Sequence, residues 1–175
     1  MLAPPAWSLD RIRGILQELL REGVAIRDIE KIAELMVSMP ATALPEQTVA
    51  VVRSVVSIDV CDRLITRNSS GKRILHAVWM DEHMMISSGA LVAASRSVVP
   101  EAAAAEKLLR CVAPGLRDLL RQGLPAVVVT PTHLRATVSR ALRGRLGDVS
   151  VIGREEIPEG VELVLAQTAH AEAVQ

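Results

Sequence analysis

The sequence predicts an α+β fold: a small N-terminal helical subdomain (residues 1–67), then a two-layer α/β subdomain (residues 68–175) that contains a βαβ unit. Three observations predict it. Up to Arg67 the apolar residues recur at helical spacing. At Asn68-Ser69-Ser70-Gly71 a turn-forming stretch intervenes, and beyond it the period becomes that of a strand. Leu124 to Gly160 then reads strand, turn, helix, strand, the order of a parallel βαβ unit.

Ser8 is placed to cap a first helix from Leu9 to Glu22, with Leu9, Ile12, Leu16, Leu19 and Leu20 on one face and Gly23 as its stop. A second helix runs from about Ile26 to Ser38 on the stripe Ile29, Ile32, Ala33 and Met36, and Pro40 ends it. Pro45 opens a third element, Glu46 to about Arg67. Its Val-rich middle, Val49 to Val60, suits helix or strand by period alone; length and the polar positions Arg53, Asp59 and Arg63 favour helix.

In the second half, Ile74 to Met80 is the first strand, Asp81-Glu82-His83 a turn, and Ala90 to Ala94 a weaker strand candidate. Pro100 marks the start of an Ala-rich helix, Glu101 to Val112. Pro114-Gly115 should break or kink it before Leu116 to Arg121 resumes, because a mid-helix proline lacks the donor and its ring collides with the preceding turn. Ala126 to Thr130 is an apolar, β-branched strand of the kind buried on both faces. Pro131 stops it, and Thr132 is placed to cap a helix from His133 to Leu146. Val149 to Ile152 and Val161 to Leu165 complete the strands.

Composition narrows the function classes. Half of the 175 residues are hydrophobic, yet Phe and Tyr are absent and Trp7 and Trp79 are the two aromatics, so the core is aliphatic. The formal net charge is zero, which supplies no overall attraction to nucleic acid or anionic membrane. Cys61 and Cys111 are too few and too isolated for a disulfide framework or a zinc site, and a reducing compartment is expected. There is no apolar run of membrane-spanning length and no signal-peptide pattern, so a soluble, cytoplasmic chain is expected.

No residue pattern carries catalysis. Thr130-Pro131-Thr132 at a strand-to-helix turn could hold an anion, but no Gly-rich loop or lysine accompanies it. His133 has no Asp or Cys placed to pair with it, and Glu155-Glu156, read as extended, point to opposite faces. Arg135, Arg140, Arg143 and Arg145 fall largely off the apolar stripe of their helix and form a basic face without aromatics for base stacking. With Arg27 and Asp28 they are the candidate protein-interface residues; no catalytic, metal or cofactor-binding residue is assigned, and an enzyme is not expected.

Two stretches resemble a known family. Leu19-Leu20-Arg21-Glu22-Gly23-Val24-Ala25-Ile26-Arg27-Asp28-Ile29 resembles the segment that opens the helical subdomain in the cytosolic part of the type III secretion export gate, a family of flagellar and injectisome proteins. From Pro125 to Glu162, the strand, the Thr-Pro turn with Leu134-Arg135, the basic helix, the Val-rich strand and Glu156-Ile157-Pro158-Glu159-Gly160-Val161 follow in that family's order. Ala25 departs from the hydroxyl residue usual there, and Pro114-Gly115 interrupts a helix expected to be continuous in the family. The resemblance implies the C-terminal half of the gate's cytosolic domain, acting by protein–protein contact. Its implied partners are further copies of itself in a ring, the rest of the gate, export substrates, chaperones and the ATPase complex; it implies no cofactor and no nucleic acid. It implies a place at the inner face of the bacterial inner membrane, joined to the membrane through the missing N-terminal part. A second reading, built on the corner from Thr130 to Arg145, is a small α/β nucleotide- or nucleic-acid-binding regulator.

Overall fold

A computed structural model describes residues 7–22, 24, 26, 29–40, 42–88, 102–146 and 148–166. The chain forms two compact units, Met1–Arg63 and Leu64–Gln175. Gly23, Ala25, Arg27 and Asp28, the strand expected at Ala90 to Ala94, and Pro100 lie outside the described residues.

The first unit is helical. Helix α1 (Leu9–Arg21) starts as its sequence dictates: the Ser8 hydroxyl accepts the Arg11 N–H at 3.3 Å, Asp10 lies in the first turn and Arg21 in the last. Its buried residues are Ile15 and Leu19. Helix α2 (Ile29–Ser38) buries Ile32 and Met36. Helix α3 (Pro45–Asp62) has Pro45 in its first turn, and the Gln47 side chain accepts the Leu44 N–H at 2.9 Å. The Val-rich run is therefore helical, as its length and polar positions indicate. Helix α3 packs against both α1 and α2, with Val49, Val52, Val60 and Cys61 buried. Trp7 is also buried, and the Arg11 guanidinium lies 4.5 Å from its ring centroid.

The helical reading fails at the end of this stretch. Thr66–Arg67 is a short strand, β1, antiparallel to β2 (Arg73–Trp79), with Thr66 opposite Ile74 and Arg67 opposite Arg73. Asn68-Ser69-Ser70-Gly71 is thus the turn of a hairpin and not a link between domains. The Asn68 side-chain oxygen accepts the N–H groups of Ser70 and Lys72, at 3.1 and 2.8 Å, and Gly71 takes the positive φ of +80° that closes the turn.

In the second unit β2 pairs in parallel with both β3 (Val127–Thr130) and β5 (Glu162–Leu165). Strand β3 pairs in parallel with β4 (Ser150–Gly153), from Val127 opposite Ser150 to Thr130 opposite Gly153. With β1 antiparallel, the five-stranded sheet is mixed. Where a plain turn is expected, Asp81 caps a short helix α4 (Glu82–Ser87) by accepting the Met84 N–H at 2.9 Å.

Helix α5 runs from Ala102 to Arg121 as one element with Pro114 inside it, so of the break or kink expected at Pro114-Gly115 the break is not there. Its apolar face, with Leu108, Val112, Leu116 and Leu119 buried, packs on β2 and β3 and on helix α6 (Thr132–Leu142). That burial, at about 1.5–3 kcal/mol for each large aliphatic side chain, outweighs the roughly 3 kcal/mol a mid-helix proline costs. Helix α6 joins β3 to β4, and their parallel pairing makes the expected βαβ unit. It ends four residues early, because Gly144 adopts a φ of +73° and turns the chain.

Candidate protein-interaction surfaces

The four arginines near α6 are not one solvated face. Arg135 is 4 % exposed, and its Nε lies 3.6 Å from Oε1 of Glu156, itself buried. Helical arithmetic could have placed it: Arg135, Val138 and Leu142 are spaced i, i+3, i+7, so Arg135 sits on the stripe that packs inward. Glu156 belongs to a short 3₁₀ turn, Arg154–Glu156, rather than an extended segment, and its Oε2 accepts the Gly153 N–H at 2.9 Å. A buried arginine and a buried carboxylate compensate one another, and this pair joins the helix to the end of β4. Arg140 is half-buried and its Nε donates to the Ala136 carbonyl at 3.4 Å, whereas Arg143 and Arg145 are exposed beyond the helix.

The Thr130–Thr132 corner is built for packing. The Thr130 side chain is wholly buried and its hydroxyl has no hydrogen-bond partner among the described residues. Thr132 does not cap α6; it is the first helical residue, and its hydroxyl accepts the Glu155 N–H at 3.4 Å. A Cβ on Gly153 would stand 2.7 Å from that hydroxyl oxygen, so the glycine permits the close approach of β4 to α6. Arg154 and then Glu155 and Glu156 follow Gly153, so the corner carries charge of both signs and no concentration of cations for a phosphate. His133 is exposed, and no group of three potential metal ligands exists among the described residues.

A second buried pair, missed in the sequence, holds the helical unit together. Arg53, read above as a polar-face position, is 1 % exposed. Its Nη1 donates to the Glu22 backbone carbonyl at 3.0 Å and lies 3.5 Å from the Glu22 carboxylate. Glu22 caps the C-terminus of α1, so the contact pins that end of α1 onto the middle of α3.

Besides its charged residues, this unit leaves large aliphatic side chains in water. Leu9 and Leu20 on α1, Val37 on α2 and Leu44 before α3 are 85, 53, 64 and 59 % exposed. In the α/β unit, Ile86 and Leu120 are likewise exposed. Among the described residues no helix is long and apolar enough to cross a membrane.

Solved structures share this architecture. The Shigella flexneri MxiA protein is similar at a TM-score of 0.72 and 21 % identity, over 91 % of this chain and 52 % of that one. The nonameric SctV-C of EPEC gives 0.65 and 20 %, over 92 % of this chain and 48 % of that one. The Chlamydia pneumoniae CdsV–CdsO complex gives 0.71 and 18 %, over 92 % and 46 %. The chain therefore spans about half the length of these relatives. No curated protein matches it. The FHIPEP family matches residues 1–162, so the chain belongs to the FHIPEP family, whose members are components of type III protein export gates.

Proposed function

We propose that this chain is the ring-forming, partner-docking part of a type III export gate's cytosolic domain, and that it works by protein–protein contact without catalysis. The observation that carries the reading is the exposed aliphatic set of the helical unit. Leu9 and Leu20 stand on one helix, while Val37 stands on another and Leu44 precedes the third. Contact between two different patches on successive copies is heterologous, and a heterologous contact closes into a ring when its rotation divides a full turn. The EPEC relative is nonameric, and the Chlamydia relative is seen with CdsO; assembly of both kinds is the corresponding expectation here.

The test is sedimentation velocity over a concentration series, on the chain alone and with the preceding cytosolic part of its gate restored. Leu20→Glu and Val37→Glu should each abolish assembly while the far-ultraviolet circular dichroism spectrum and melting temperature hold. Assembly unchanged in both variants would remove this reading. Reversing Arg140 and Arg143 to Glu probes the basic residues as rim charges. Their effect should be a weaker, more salt-dependent association, at about 1 kcal/mol or less per exposed pair.

A further inference from the structure

The α/β unit carries an open apolar groove of about 460 Å³ that the helical unit's aliphatic set does not involve. Leu109, Ala113 and Leu116 of α5 line it on one side, and Leu146 and Val149, from the connection between α6 and β4, on the other. Two charged residues also border it, Arg117 from α5 and Asp148 from the connection, both exposed. Arg117 spends its Nε on the Ala113 carbonyl at 3.2 Å, and neither residue has an ion-pair partner among the described residues. Leu120, also at the groove, is 58 % exposed.

We propose that this groove is a two-fold contact between copies of the chain, in which Arg117 of each copy meets Asp148 of the other and Leu120 of each covers the other's groove. The argument is self-complementarity. An isologous interface needs one patch that offers both halves of every interaction, since residue i meets j and j meets i. This patch has a cation and an anion, mutually unpaired, and both an exposed Leu and an apolar recess. A groove built for a foreign acidic or basic segment would carry one sign of charge. The contact is small beside the ~1,200–2,000 Å² of stable interfaces, so it is a weak association, additional to the ring and able to join two assemblies.

The experiment uses the full chain with Leu20→Glu and Val37→Glu in place, which silences the helical unit's contacts, and reads self-association by sedimentation equilibrium at low salt. That chain should dimerise weakly, and Leu120→Glu should abolish the dimer. Arg117→Asp and Asp148→Arg each replace two attractive pairs by two repulsive ones across the axis and should raise Kd by about tenfold, an effect that shrinks as salt is added. Mixed in equal amounts, the two single variants should associate more tightly than either alone, because in that mixed dimer both pairs are again opposite in sign. The chain carrying both changes should recover too. A chain that stays monomeric to millimolar concentration, or a mixture no tighter than its components, overturns the proposal. So does a monomer whose groove resonances shift with an added amphipathic helical peptide or with octanoate. If Leu20→Glu and Val37→Glu fail to disturb the ring while the groove variants behave as described, the ring reading falls and this one stands.

Discussion

Arg53 is among the largest fully buried side chains of the molecule, and its charge is met by Glu22 at the end of α1. Removing one partner of such a pair leaves a charge in a poor dielectric, which costs about 3–5 kcal/mol, whereas replacing both by apolar residues is far better tolerated. Glu22→Ala should therefore lower the urea midpoint of the helical unit by an amount equivalent to about 3 kcal/mol. Glu22→Leu combined with Arg53→Met should return most of it. Equal losses in the single and double variants would show that the pair contributes nothing as a pair. Thr130 is the opposite case. Its hydroxyl is buried in a strand of valines without a partner among the described residues, so the group was desolvated with no hydrogen bond from them in return. Thr130→Val keeps the shape and should stabilise the chain by about 1 kcal/mol; a loss on urea unfolding would mean that the hydroxyl has a partner in solution.

Pro114 sets local chemistry against packing at the level of one helix. Local chemistry alone predicts a break or a kink; family likeness predicts continuity, and the helix is not broken because its inward face is buried from Ala104 to Leu119. Pro114→Ala should then restore the donor to the Arg110 carbonyl and raise the melting temperature, by up to about 3 kcal/mol in stability terms. No gain would indicate that the neighbouring turn has adapted to the ring. Elsewhere the elements were legible from differing signals: α1 from its period and the Ser8 cap, the Val-rich α3 from its length and polar positions, and the parallel β3–α6–β4 unit from the order of its apolar runs. They were illegible where one residue type serves two purposes. Asn68 and Gly71 punctuate a linker or a hairpin equally well, and only the pairing of Thr66–Arg67 with β2 decides. Two arginines suffered similarly: charge suggested a polar position for Arg53 and an interface for Arg135, while their buried carboxylate partners lie 31 and 21 residues away in the chain.

At the scale of the molecule, the boundary between the two units falls at Arg63–Leu64, ahead of the hairpin. Every strand of the sheet, and the helices α4, α5 and α6, lie beyond it. A fragment of residues 64–175 keeps β1 on β2 and retains the whole aliphatic cluster built on Val78, Leu108, Leu116, Val128 and Val138. It should fold alone and unfold cooperatively in urea. A fragment of residues 68–175 loses β1, leaving the start of β2 without its antiparallel partner and the Thr66 hydroxyl's bond to the Ile74 carbonyl unmade. It should unfold at a lower denaturant concentration, with a slope reduced little, because only a short hairpin arm is missing. The complementary fragment, residues 1–63, is at a size where folding buries only about 60 % of the unfolded chain's surface, and it keeps its large exposed aliphatics. Its melt should be broad in dilute solution and sharpen as concentration rises, because packing between copies supplies apolar burial that one copy lacks. Circular dichroism melts of the three fragments over a hundredfold range of concentration test this. Equal midpoints for the fragments beginning at 64 and 68 would return the boundary to the turn at Asn68–Gly71. A sharp, concentration-independent melt of residues 1–63 would show that the helical unit needs no neighbour.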